Sequence, residues 1–278
     1  MTLGYDADFL QTAVELPRAA TAAKVLDYTH FTILLNTSRR FAELTAANID
    51  GGQLRDVGRE DTWRLDPRVA SALQAGEELY RNNNLDRGHL VRRRDPVWGP
   101  PADAAKANIE TFFYTNAAPQ VDTFNQSKLL WHGLEDYVLN HADQYDARLS
   151  VFTGPVLDPK DPPYRGFAIP LLFWKVVAWQ GADGLASTAY ILDQSPLLGE
   201  LEEERLTALR AAAGATPPLG PYRTFQVPVA DVQDLTGLGL EQLVAVDRFV
   251  PAPTARAGEP RWQLLVSFEQ IVLLPPES

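Results

Sequence analysis

Residues 86 to 94 read Asp86-Arg87-Gly88-His89-Leu90-Val91-Arg92-Arg93-Arg94. A histidine stands two residues after an arginine, with a glycine between them and an acid in front. Three more arginines follow closely. The chain of 278 residues has a net charge of −11 and only four histidines. A local basic cluster around a proton-transfer group, on an otherwise acidic chain, points to chemistry on a phosphate.

Three further pieces lie downstream in order. Thr115-Asn116-Ala117-Ala118-Pro119-Gln120 comes first. Phe124-Asn125-Gln126 follows, with Asn125 nine residues after Asn116, and Trp131 and Leu134-Glu135 come last. Leu130, Leu134, Tyr137 and Val138 share one helical face, which predicts a helix from Phe124 to Ala142 opened by Asn125. Upstream, Tyr28 to Asn36 reads as one strand paired with Arg39 to Ile49, and Asp50-Gly51-Gly52 as a turn. Arg68 to Leu79 is weakly helical, Ala102 to Asn108 a short helix, and Thr111 to Thr115 a short strand. Further strands are expected over Arg148 to Val156, Ile169 to Trp179, Ser187 to Leu192, Tyr222 to Val227 and Trp262 to Leu274. Helices are expected over Leu198 to Ala213 and Val229 to Leu235. The irregular alternation favours an α+β fold with mixed or antiparallel sheets over a wound parallel sheet. No linker is long enough to divide the chain, so residues 1–278 read as a single domain.

Composition narrows the classes. There is no apolar run of membrane-spanning length. Asp6, Asp8, Glu15 and Pro17 give the first twenty residues none of the character of a signal peptide, so a cytoplasmic protein is expected, or a secreted one whose leader was removed. Zero cysteine excludes disulfides and thiolate metal sites. The acidic balance argues against non-specific adhesion of the whole surface to nucleic acid. It leaves room for a cleft carrying Arg87, Arg92, Arg93 and Arg94, with weak and salt-sensitive binding.

Taken together, the four pieces resemble the DNA/RNA non-specific endonucleases of the ββα-metal (His-Me finger) class, which include secreted bacterial sugar-non-specific nucleases and endonuclease G. The resemblance covers about residues 55–157. Glu135 lies ten positions after Asn125, a slightly longer gap than in well-known members. The resemblance implies a central, mostly antiparallel sheet flanked by helices, and metal-dependent hydrolysis of DNA and RNA with little sequence preference. His89 then matches the general base, a role its ordinary pKa of about 6.5 suits. Asn125 matches the ligand of a Mg²⁺ ion, with Mn²⁺ as a substitute. One neutral oxygen leaves the rest of that ion's shell to water and substrate. Glu135 would hydrogen-bond that water shell. Arg87 would contact the scissile phosphate through its planar guanidinium. A second phosphate contact falls on Arg59, with Arg64 as the alternative. Asp86 and Asn116 would order the site.

Plainer readings stand beside these. Asn125 alone could be a helix cap, and Arg92-Arg93-Arg94 a solvated basic patch as readily as a substrate contact. His30, His132 and His141 read as packing or surface residues. Trp98, Trp131, Trp174 and Trp179 read as core. Two other roles stay open: a nuclease gated by a protein inhibitor, and a non-catalytic nucleic-acid-binding protein on the same fold. A homodimer is a further possible assembly.

Overall fold

The computed structural model describes residues 3–19, 21, 23–121, 126–195, 223–250 and 262–266. Eight strands join in one sheet. In spatial order they are β1 (Lys24–Tyr28), β2 (Phe31–Asn36), β3 (Phe41–Asp50), β6 (Arg148–Pro155), β9 (Leu172–Gly181), β10 (Gly184–Asp193), β11 (Arg223–Val227) and β12 (Gln263–Leu264). Every pairing in it is antiparallel. The described helices are α1 (Glu77–Tyr80), α2 (Pro101–Glu110), α3 (Gln126–Gln144), α4 (Val229–Thr236) and α5 (Glu241–Val244).

The sheet is a middle layer. Side chains alternate between its faces, so Phe173, Val177 and Trp179 of β9 join one apolar cluster while Trp174, Val176 and Ala178 join another. Leu134, Val138, Leu139 and Ala142 of α3 cover the first face. Phe9, Leu10 and Val14 of the N-terminal segment, Val229 and Val232 of α4, and Leu243 of α5 cover the second. Burial on both faces explains why all ten residues of β3 are buried and why its sequence does not alternate.

A separate antiparallel pair, β4 (Leu85–His89) and β5 (Ala117–Val121), stands beside this sheet and leads toward α3. Leu85 and Ala117 anchor it in a third cluster with Phe41, Leu79, Tyr80 and Tyr114. Two strands and a helix in this order give the ββα arrangement the motifs implied. A two-residue pair, β7 (Pro163–Tyr164) with β8 (Phe167–Ala168), closes the far side of that cluster.

Several elements differ from the sequence expectations. The strand expected over Tyr28 to Asn36 forms as β2 from Phe31 to Asn36 and pairs with β3 as expected, while Tyr28 ends β1. The chain reverses at Thr29-His30, where His30 takes φ 67°. The His30 ring holds that conformation by bonding the Pro96 carbonyl at 2.8 Å and stacking on Trp98 at 3.5 Å. Arg68 to Leu79 is mostly loop, because the Gln74 amide bonds the backbone of Asp66 in both directions at 2.9 Å. Thr111 to Thr115 gives way to a single-turn 3₁₀ helix over Tyr114–Asn116, and only an isolated bridge joins Phe113 to Arg64. The helix expected over Leu198 to Ala213 lies outside the described residues, as does the last strand beyond residue 266.

Candidate active site

His89 ends β4. Alternation along the strand sends Leu85, Arg87 and His89 to one side. The His89 ring is clamped between two aromatic walls: Trp63 at 4.7 Å between centroids, and the edge-on Phe112 at 5.0 Å. The residue is partly exposed, but its Nε2 is shielded and has no hydrogen-bond partner among the described residues. Burial pushes the His89 imidazole down to about 3, Arg59 and Arg93 push the same way, and Asp61 opposes them. A neutral ring with an unpartnered nitrogen has a free lone pair for a proton, and the neighbouring cations lower its proton affinity until their charge is offset.

Asn116 holds the strand end in place. The β4–β5 ladder stops at His89 opposite Ala117. Beyond it, the Leu90 N–H donates to the Asn116 carbonyl at 2.9 Å. The Asn116 side chain then acts as a further strand. Its Oδ1 accepts from the Val91 N–H at 2.9 Å, and its Nδ2 donates to the carbonyls of Val91 at 2.8 Å and Thr111 at 3.0 Å. Asn116 is fully buried, so these groups have no water to replace it. Gly88 admits the Gln120 side chain, since a Cβ there would lie 2.3 Å from the Gln120 Cδ. Asp86 is exposed on β4 opposite Gln120.

The arginines separate into different settings. Arg87 forms an ion pair with Glu77, which also accepts the Tyr114 hydroxyl at 2.6 Å. Its guanidinium lies 5.5 Å from the Tyr80 ring and 5.9 Å from the Tyr114 ring. Arg59 is 64% exposed and pairs with Asp61 at the mouth beside His89. Arg64 turns away and donates to the Ile109 carbonyl at 2.9 Å. The run Arg92-Arg93-Arg94 is not one solvated patch. Arg92 pairs with Asp136 of α3. Arg93 donates to the Val57 carbonyl at 2.8 Å and Asn108 Oδ1 at 3.0 Å. Arg94 is exposed.

Glu135 sits on α3 with its side chain 12% exposed, paired with Lys175 of β9 at 3.3 Å. Asn125 lies outside the described residues. Among the described residues, no three His, Cys, Asp or Glu side chains converge on a common point. That donor set does not suit a fully caged metal. A hard cation that keeps most of its water needs only one or two protein oxygens, and the Glu135 carboxylate is a described candidate for such a contact.

Sequence reasoning singled out His89, Arg87 and Asn116 but missed the walls of the site. Neither Trp63 nor Phe112 has a place among the sequence expectations for the site. Glu77 and Tyr114 carried no signal, since they reach Arg87 from two distant segments. Lys175 did carry one: it is a lone cation inside the apolar stretch Leu172 to Trp179.

A model of the DNA/RNA non-specific endonuclease family matches residues 13–247. An uncharacterized protein, y4fB of Sinorhizobium fredii (strain NBRC 101917 / NGR234), is 38% identical over 284 residues, covering 91% of this chain and 41% of the relative. Human mitochondrial endonuclease G is 27% identical over 213 residues, covering 72% of this chain and 60% of the relative. The chain thus spans 41% and 60% of the lengths of these two relatives. A crystal structure of an EndoG/EndoGI complex superposes with a TM-score of 0.56 at 20% identity, over 77% of this chain and 84% of that one. This last likeness concerns the fold.

Proposed function

The chain belongs to the DNA/RNA non-specific endonuclease family, and on that premise we propose that it is a Mg²⁺-dependent endonuclease cutting DNA and RNA with little sequence preference. His89 is the observation that carries this reading. Its ring is held neutral between Trp63 and Phe112, with Nε2 unpartnered and Arg59 and Arg93 close by.

A phosphodiester entering this mouth meets Arg59 first, and this exposed guanidinium suits two phosphate oxygens at once. The exposure of Arg59 and the inward turn of Arg64 favour Arg59 for that contact. Burial depresses His89 most, and Arg59 and Arg93 add to it; the arriving negative charge offsets these two cations, so the imidazole gains proton affinity as substrate binds. His89 then takes a proton from the attacking water. Arg87, fixed by Glu77 and two tyrosine rings, faces the same side of β4 and stabilises the charge on the phosphoryl oxygens in the transition state. Asn125 and the water-linked Glu135 are the groups that would hold the cation. When bound, it supplies positive charge to the phosphate and an acidic water for the leaving 3′ oxygen. The products expected are 5′-phosphates.

A second reading, gating by a protein inhibitor, is supported by the fold's likeness to the EndoG/EndoGI complex. Supercoiled plasmid and structured RNA incubated with the purified chain test the main reading. Nicking of both in Mg²⁺, lost in EDTA and in a folded His89→Ala variant, is expected. A folded wild type that cuts neither substrate in Mg²⁺ or Mn²⁺ contradicts it.

A further inference from the structure

One buried cation does not belong to the mouth around His89. Lys175 lies in the middle of the sheet with its side chain 2% exposed. It shares a strand face with Phe173 and Val177, the face that α3 covers. Across the sheet it sits opposite Thr153 on one side and Tyr190 on the other, and Thr153 sits opposite Thr45. A polar row therefore crosses four strands of a face otherwise built from residues such as Ile49, Val151, Phe173 and Val177.

Removing an ammonium from water is costly unless it is paired in good geometry. The partner above Lys175 is Glu135 of α3 at 3.3 Å. The next helix residue, Asp136, pairs with Arg92, three positions after His89. Two adjacent acids thus tie one turn of α3 to two different parts of the fold, the central sheet and the segment that follows the candidate base. Asp95 completes the surroundings. Burial raises it to about 6, Lys175 and Arg92 pull it back, and Glu135 pushes it further up.

We propose that Lys175 is a positioning residue for Glu135: from the sheet beneath, its ammonium fixes the carboxylate in the orientation the site needs toward a hydrated metal ion. The inference rests on the nuclease reading given above. An apolar residue at 175 would fill the space at less desolvation cost, but would leave the Glu135 carboxylate to turn freely.

The test uses the full chain in five forms: wild type, Lys175→Met, Lys175→Arg, Glu135→Gln, and the double variant Lys175→Met/Glu135→Gln. Plasmid cleavage in Mg²⁺ gives kcat and KM. Electron paramagnetic resonance of free Mn²⁺ gives metal affinity without any nucleic acid. Groups that orient a metal's ligands are worth about 10- to 100-fold, so Lys175→Met is expected to lower kcat and weaken Mn²⁺ binding within that range. KM for DNA should stay unchanged, and Lys175→Arg should recover most of the loss. In the Glu135→Gln background, Lys175→Met should add nothing to the loss of kcat, because the carboxylate it orients is already gone. If Lys175→Met alone fails to fold, the double variant decides, since it removes both members of the Lys175–Glu135 pair together. A double variant matching Glu135→Gln supports the inference, and a further loss of kcat overturns it. An active wild type whose kcat and Mn²⁺ affinity ignore Lys175→Met overturns the inference alone. A wild type that neither cuts nor binds Mn²⁺ overturns the nuclease reading and this inference together.

Discussion

At the scale of single residues, His89 and Asn116 divide the work between chemistry and geometry. The folded His89 imidazole is pushed well below its ordinary value of about 6.5 by burial, with Arg59 and Arg93 adding to it. The unfolded chain therefore binds a proton that the folded chain resists. The contribution of His89 to stability is accordingly full above about pH 6.5 and is lost as pH falls toward about 3. Replacing His89 with Gln should make this acid-side decline shallower in urea titrations at several pH values, and an unchanged decline would assign it to other groups. Asn116 makes three side-chain hydrogen bonds to buried backbone groups. Asn116→Ala would strand them, at roughly 1–3 kcal/mol each before relaxation. A net loss of about 3 kcal/mol in a denaturant titration is expected, and a loss below about 0.5 kcal/mol would mean that water replaces the amide.

At the scale of elements, the site depends on how α3 is set against the strands. Gly51, just after β3, donates its N–H to the Ala147 carbonyl at 2.9 Å, and a Cβ on it would lie 1.8 Å from the Ala142 carbonyl oxygen. Backbone meets backbone there, so neither side can yield by a rotamer change. Gly51→Ala should displace the end of α3, destabilise the fold by about 2 kcal/mol or more, and lower cleavage through the shifted helix. Wild-type melting and activity in that variant would show that α3 is not held there. Much of this layer was legible in sequence. The helical face of Leu134 and Val138 and the apolar strands near 150, 175 and 190 follow from periodicity and composition. What was not legible depends on long-range partners. Nothing near His30 announces a turn, because the contacts that stabilise its positive φ come from Pro96 and Trp98. Gln74 unwinds an apparently helical stretch only because it reaches back to Asp66. The three arginines after His89 looked alike in sequence, and they differ because Asp136, Val57 and Asn108 arrive from elsewhere in the chain.

At the scale of the whole molecule, a net charge of −11 faces a polyanionic substrate. Attraction must then come from few groups near the mouth. Arg59 and Arg94 are exposed, Arg59 in a surface pair with Asp61, whereas Arg87, Arg92 and Arg93 are partly buried and have partners within the protein. Binding should release few counterions, giving a slope of about −2 to −3 for log affinity against log salt on duplex DNA. A slope near −8 would reveal a wider basic track than this surface offers. The most direct check on the account is the pH dependence of kcat/KM for plasmid nicking in Mg²⁺, measured on wild type and His89→Ala together. The wild type should lose activity on the acid side along one limb that lies below about pH 6.5. The variant should be slower by about 10²- to 10⁴-fold and lack that limb. A folded His89→Ala variant that cuts at the wild-type rate, with the same acid limb, would contradict the assignment of His89 as the base and the mechanism built on it.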